Sequence, residues 1–298
     1  MQNLKKMTVS KNISKIIFII GLGVVFYSQI ILWQNYLLEK TGKPPELNFM
    51  DAEYHIQRGI QYQSEDELRK AVKLDPINPG IRIKLASYYF SAPGAGNQDK
   101  ARKEYEKALL YSSEKQQLKI FEDVYANITQ DLVFLKSVVP DTGLAMHSFA
   151  AFLCDKKFYE QAASEYKFLI KTTSDSYTLS DSYNWLGIMC LWSAKYDEAI
   201  GYFNSAISTV KDDKYKSWIL RNLGYAYLNK NDFQKTVEIY KVAIKTDPAC
   251  WASYYIMGSA YEKMGLKKEA GEYYYKSLQH NPGSYKQKIL ESIRNLRR

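Results

Sequence analysis

Two consecutive 34-residue blocks, 217–250 and 251–284, repeat one residue pattern in register. The first carries Leu223, Gly224, Tyr227, Tyr240, Ala243 and Pro248; the second carries Met257, Gly258, Tyr261, Tyr274, Ser277 and Pro282. A fixed period of this length specifies a stacked array of helix pairs, each burying its apolar face on its neighbours. Within 217–250, Leu220, Leu223, Gly224, Tyr227 and Leu228 fall at i, i+3, i+4, i+7 and i+8, one face of a helix. Residues 229–231 interrupt the pattern. A second helical run follows with Val237, Tyr240 and Ile244. It stops before Asp247-Pro248, because helical geometry is disfavoured for the residue before proline. A glycine inside a helix costs about 1 kcal/mol relative to alanine, so Gly224 and Gly258 are expected at close helix–helix contacts.

This pattern resembles the tetratricopeptide repeat: Leu-Gly, then an aromatic, then a small residue, an aromatic, Ala and Pro. Other blocks follow it with less fidelity. Block 180–213 keeps Leu186, Gly187, Ala199, Phe203 and Ala206 but has Cys190 and Lys211 where Tyr and Pro are usual. Three extra residues, 214–216, separate it from the next block. Block 143–176 keeps Ala150, Ala162 and Tyr166; block 79–112 keeps Leu85, Ala86, Tyr89, Ala101, Tyr105 and Ala108; 48–78 ends in Leu74-Asp75-Pro76 as a degenerate first repeat. Residues 113–142 fit no repeat and read as an inserted element, helical to about Thr129 and less regular over 132–140. The resemblance implies an all-α, right-handed superhelical solenoid over 48–283. Residues 284–298 read as a terminal helix, with Ile289, Leu290, Ile293 and Leu296 on one side. Such a cap covers the apolar face that a last repeat exposes.

The N-terminus reads differently. Residues 16–33 form an apolar run broken only by Ser28 and Gln29, and with Tyr36–Leu38 it reaches 16–38. A helix of that length, at about 1.5 Å per residue, crosses a hydrocarbon core of about 30 Å. A cleaved signal peptide is the competing reading, but it needs a shorter core and small residues at the cut, which 33–38 lacks. Lys5, Lys6, Lys11 and Lys15 precede the run without an acid among them. The positive-inside rule therefore puts a basic tail, 1–15, in the cytosol. A stiff linker, 39–47, follows the span. The repeats are expected across the membrane, in a bacterial periplasm, with the chain a single-pass inner-membrane protein.

The formal net charge of +9 does not mark a nucleic-acid surface. Four bases precede the span and five lie in the last thirteen residues. Leaving out those nine and Glu291 leaves 32 bases against 31 acids, whereas nucleic-acid binding needs a basic stripe along the repeats. Cys154, Cys190 and Cys250 have no zinc-pair spacing. A Cys154–Cys190 disulfide is conceivable, with burial as small apolar side chains the commoner outcome. His55, His147 and His280 fall in different repeats. There is no phosphate-binding loop, nucleophile elbow or metal motif. No cofactor, metal or enzymatic activity is therefore expected.

In the family, the first helix of each pair lines a concave groove that holds partners. The resemblance thus implies a groove binding a protein or peptide through Asn184, Ile188, Trp192, Trp218, Arg221, Asn222, Tyr225 and Tyr255, with His147 and Ser259 as further lining candidates. Each of these residues, taken singly, is also compatible with ordinary solvent exposure. The function this implies is a membrane-anchored interaction scaffold in assembly of a cell-envelope complex. The alternative is an accessory subunit or ligand carrier of an envelope polysaccharide or secretion system.

Overall fold

The computed structural model describes residues 51–280 and 282–296. The basic tail 1–15, the span 16–38 and the linker 39–47 lie outside the described residues. Among those described, every regular element is helical, and no helix is long and apolar enough to cross a membrane. The chain forms two compact units, one ending at Tyr88 and one beginning at Tyr89.

In the first unit, α1 (Ala52–Gln61) and α2 (Glu65–Leu74) form a helix pair, followed by α3 (Pro79–Ser91), which runs on into the second unit. Asp51 and Ser64 cap α1 and α2, accepting the otherwise unpaired N–H groups of Glu53 and Glu67. Ile56, Ala71 and Ile81 form the apolar core. Buried His55 pairs with Glu67 at 2.6 Å, and Lys70 reaches the same carboxylate at 2.9 Å. Burial alone would raise the Glu67 pKa, but these two partners hold it below the ordinary value.

The second unit continues through α4 (Asn97–Leu110), α5 (Glu114–Asn127), α6 (Leu132–Ser137), α7 (Gly143–Asp155) and α8 (Tyr159–Thr172). It goes on through α9 (Ser176–Trp192), α10 (Tyr196–Thr209), α11 (Asp213–Asn229), α12 (Phe233–Thr246), α13 (Trp251–Lys263) and α14 (Lys267–Gln279) to α15 (Lys286–Leu296). From α7 onward the helices pack in sequential pairs, and each second helix also packs on the next first helix. The repeat glycines are the close contacts. A Cβ on Gly224 would lie 2.5 Å from the Tyr240 ring, and one on Gly258 would lie 2.5 Å from the Tyr274 ring. The pairing of a missing side chain with a large ring is thus what sets the helix spacing within these pairs. Between helices of a pair the chain turns through a left-handed residue at Lys157, Ala194, Asn231 and Gly265.

Three elements differ from the sequence reading. Residues 214–216 are not a spacer: they belong to α11, which has 17 residues where α13 has 13. Residues 177–179 likewise lengthen α9 to 17. A three-residue insertion adds almost one helical turn, so the array absorbs it at a helix N-terminus without disturbing the packed face. The stretch around 132–140, read as less regular than the helix before it, contains the short helix α6.

The insert also joins the stack. In α5, Phe121 packs on Phe149 and Phe152 of α7 at ring separations of 5.3 and 5.7 Å. From α6, Phe134 meets Tyr105 edge-on, and Lys136 pairs with Glu165 of α8. At the end of the chain, α15 buries Ile289 and Ile293 against Ala270 and Tyr274. All three cysteines are free; Cys154 is buried and the other two are half-buried.

Candidate functional site

The first helices α7, α9 and α11 bring a line of polar and aromatic groups to one side of the second unit. His147 of α7 is 3% exposed, and its Nε2 lies 2.5 Å from Asp181 Oδ2 of α9. Tyr215 of α11 donates its hydroxyl proton to the other Asp181 oxygen. On the far side of the imidazole, Glu114 of α5 sits 3.3 Å from Nδ1, at ion-pairing distance but without hydrogen-bond alignment. One imidazole and one carboxylate therefore tie together four helices.

Electrostatics fix the charge state. Burial by itself would lower the His147 pKa, but the hydrogen bond to Asp181 and the close carboxylates of Asp181 and Glu114 more than reverse this and raise it from 6.5 to about 9. The imidazole is a cation at neutral pH. Glu114 is correspondingly held below its ordinary value, chiefly by His147. The Tyr215 phenol is pushed far up, first by burial and then by the Asp181 charge, so it stays a donor.

The residues expected to line a groove separate into three places. Asn184, Trp218, Arg221 and Asn222 gather beside the polar line. Asn222 Nδ2 donates to Asn184 Oδ1 at 3.0 Å, and the Trp218 ring lies 5.5 Å from that of Tyr215. Arg221 Nη1 lies 2.5 Å from Cys250 Sγ. Two of the lining candidates are corrected here. Asn184 is fully buried and His147 nearly so, because the extra helical turns of α9 and α11 carry Tyr177 and Tyr215 over them. The rings of Tyr177 and Tyr215 are 5.9 Å apart, and Tyr177 is half-exposed.

The second place lies nearer the turns. Tyr225 is 46% exposed and Trp192 is 57% exposed. Ile188, at the same repeat position as Tyr225, packs instead against the core of Ala199, Phe203 and Leu223. In the third place Tyr255 is half-buried: it packs on the Tyr274 ring at 5.6 Å, and Lys288 of α15 lies over its face. The terminal helix thus covers part of the surface on which Tyr255 was expected to stand free. Ser259 is half-buried on the same helix.

Sequence reasoning passed over Tyr177, Asp181 and Tyr215. A signal was present, since His147, Asp181 and Tyr215 are spaced by 34. They do not occupy the same repeat position, because the inserted turns shift the register by three residues.

Among the described residues, no group of His, Cys, Asp and Glu is arranged to hold a metal ion.

The tetratricopeptide repeat profile matches residues 220–250 and 252–283, so the chain carries tetratricopeptide repeats there within an all-α helical repeat array. A curated relative, BBSome complex member BBS4 of Bos taurus, is 25% identical over 175 residues. That match covers 54% of this chain, which spans about a third, 33%, of the relative's length. Solved structures similar to the chain include a chain of the APC/C hetero-tetramer Cut9–Hcn1, with 14% identity, 90% of this chain, 46% of that chain and TM-score 0.49. YrrB, described as a TPR protein with an unusual peptide-binding site, shows 14% identity over 77% of this chain and 98% of its own, with TM-score 0.45. Pseudomonas aeruginosa pilF shows 17% identity over 81% and 96%, with TM-score 0.46.

Proposed function

We propose that the chain is a membrane-anchored scaffold whose first-helix face holds a partner protein or peptide during assembly of a cell-envelope complex. The observation that carries the reading is the gathering of Trp218, Arg221 and Asn222 over a floor held together by the His147–Asp181–Tyr215 line. The floor fixes the helices, leaving half-exposed aromatic and Arg side chains above it to meet a partner. Binding energy at interfaces concentrates in such residues. The apolar, uncharged run at 16–38 and the four lysines before it support the anchor and an inner-membrane, periplasm-facing orientation. No catalytic role is assigned to any residue.

Replacing Trp218 and Arg221 together with Ala tests the groove. Neither side chain is fully buried, so circular dichroism of the purified full chain should be unchanged. Recovery of the partner from detergent-solubilised membranes should fall at least about ten-fold, the effect of losing roughly 1.4 kcal/mol or more. Undiminished recovery with an intact fold would remove this face from the binding surface.

A further inference from the structure

We propose that a hollow at the turn end of the second unit is a socket for an arginine side chain presented by a partner polypeptide. The hollow has a volume of about 740 Å³ and is open to solvent. Tyr159, the first residue of α8, and Trp192, the last of α9, form its aromatic walls, with ring centroids 4.9 Å apart at 57°. Both rings are accessible, Trp192 at 57% and Tyr159 at 39%. Ala163 and Met189 also line it, and Glu160 and Lys195 supply its charged groups.

The charges decide the occupant. Lys195 is turned toward Glu198, with Nζ 3.8 Å from the carboxylate. Glu160 forms no ion pair among the described residues, and it is exposed. With Lys195 facing Glu198, the hollow presents in Glu160 a carboxylate that has no ion-pair partner of its own, beside two π faces whose quadrupoles also favour a cation. An apolar occupant would cover a carboxylate without giving it a partner, which is costly. An anion would meet both Glu160 and the negative ring faces. A lysine ammonium would satisfy the charge but is a compact, strongly hydrated point. The planar guanidinium does both things at once: it stacks on Trp192 and donates in a fork to Glu160. The open side leaves room for a polypeptide backbone to cross while one side chain enters.

This inference rests on the scaffold reading only in taking the source of the arginine to be a polypeptide, and its test is separate. The full chain in detergent is titrated with short Ser/Gly peptides carrying a central Leu-X-Leu, where X is Arg, Lys, citrulline or Leu. Quenching of tryptophan fluorescence is the readout, with Trp192→Phe identifying the responding ring. The Arg peptide should bind about ten-fold or more tightly than the citrulline and Leu peptides, with Lys between. Glu160→Gln should bring the Arg peptide down to the citrulline level. Trp192→Ala should lose at least about ten-fold while leaving circular dichroism unchanged, since that side chain is mostly exposed. Equal binding of Arg and citrulline, tightest binding by Leu, an ineffective Glu160→Gln or no saturable binding would each overturn the proposal. So would free arginine binding as tightly as the Arg peptide. If these fail while Trp218→Ala/Arg221→Ala still releases the partner, the scaffold reading stands and the socket alone is lost.

Discussion

At the scale of single residues, His147 carries the most consequence. It is buried between carboxylates on two different helices, and the interaction is strongest while the imidazole is charged. Its folded pKa, about 9, is above its ordinary value of 6.5. Its contribution to stability is therefore fully present below about pH 6.5 and is lost as pH rises through about 9. The melting midpoint of the full chain should fall across that window. His147→Gln should remove that part of the pH dependence and cost about 3–5 kcal/mol at neutral pH, the usual cost of leaving one member of a buried pair alone. Parallel wild-type and variant pH profiles would show that His147 does not carry the charge assigned to it. The tyrosines around it cannot mimic the effect, because burial and the Asp181 charge push Tyr177 and Tyr215 upward. Serine and glutamine extend the same line: Ser148 donates to Gln117 at 2.8 Å, and Gln117 in turn satisfies the Leu109 carbonyl at 2.8 Å.

At the scale of elements, the lengthened helices α9 and α11 and the terminal helix α15 shape the candidate surface. The extra turns place Tyr177 and Tyr215 over Asp181 and Asn184, converting residues that would have been groove wall into groove floor. The terminal helix does two jobs: it buries the last apolar face and it lays Lys288 over the rings of Tyr255 and Tyr285. Ile289 is fully buried against Ala270 and Tyr274, so Ile289→Ala should destabilise by about 2–5 kcal/mol. Local opening limits the measurable loss to the docking energy of α15. Hydrogen exchange should accordingly show faster exchange in α14 and α15 and unchanged protection in α7–α10. Protection unchanged throughout would mean that α15 is not a cap. The insert α5–α6 is the opposite case: it matches no repeat in sequence, yet its Phe121 and Phe134 are packed as repeat residues are.

At the scale of the whole molecule, the question is where the array is held. The four lysines ahead of residue 16 and the absence of charge to residue 38 motivate a cytosolic N-terminus with the repeats on the other side. A reporter active only outside the cytosol, fused after Arg298, should be active, and a cytosol-only reporter at the same place should be silent. The reverse result would overturn the orientation and with it the envelope setting, while leaving the groove and the arginine socket open to their own tests.

Leu223, Gly224, Tyr240 and their partners 34 residues on were sufficient by themselves to determine the helix-pair repeat over 217–284 and the close contacts at Gly224 and Gly258. Those features are local: they depend on helical periodicity and on one ring filling the space left by one missing side chain. The candidate surface was less legible, and for a physical reason. Whether Asn184 is groove wall or floor depends on which neighbouring turn crosses it, and Tyr255 depends on a helix that begins thirty-one residues later, at Lys286. The pairing of His147 with Asp181 and Glu114 depends on three helices meeting at one point. Contacts of that kind are set by the stacking of elements, so only the tertiary structure decided them.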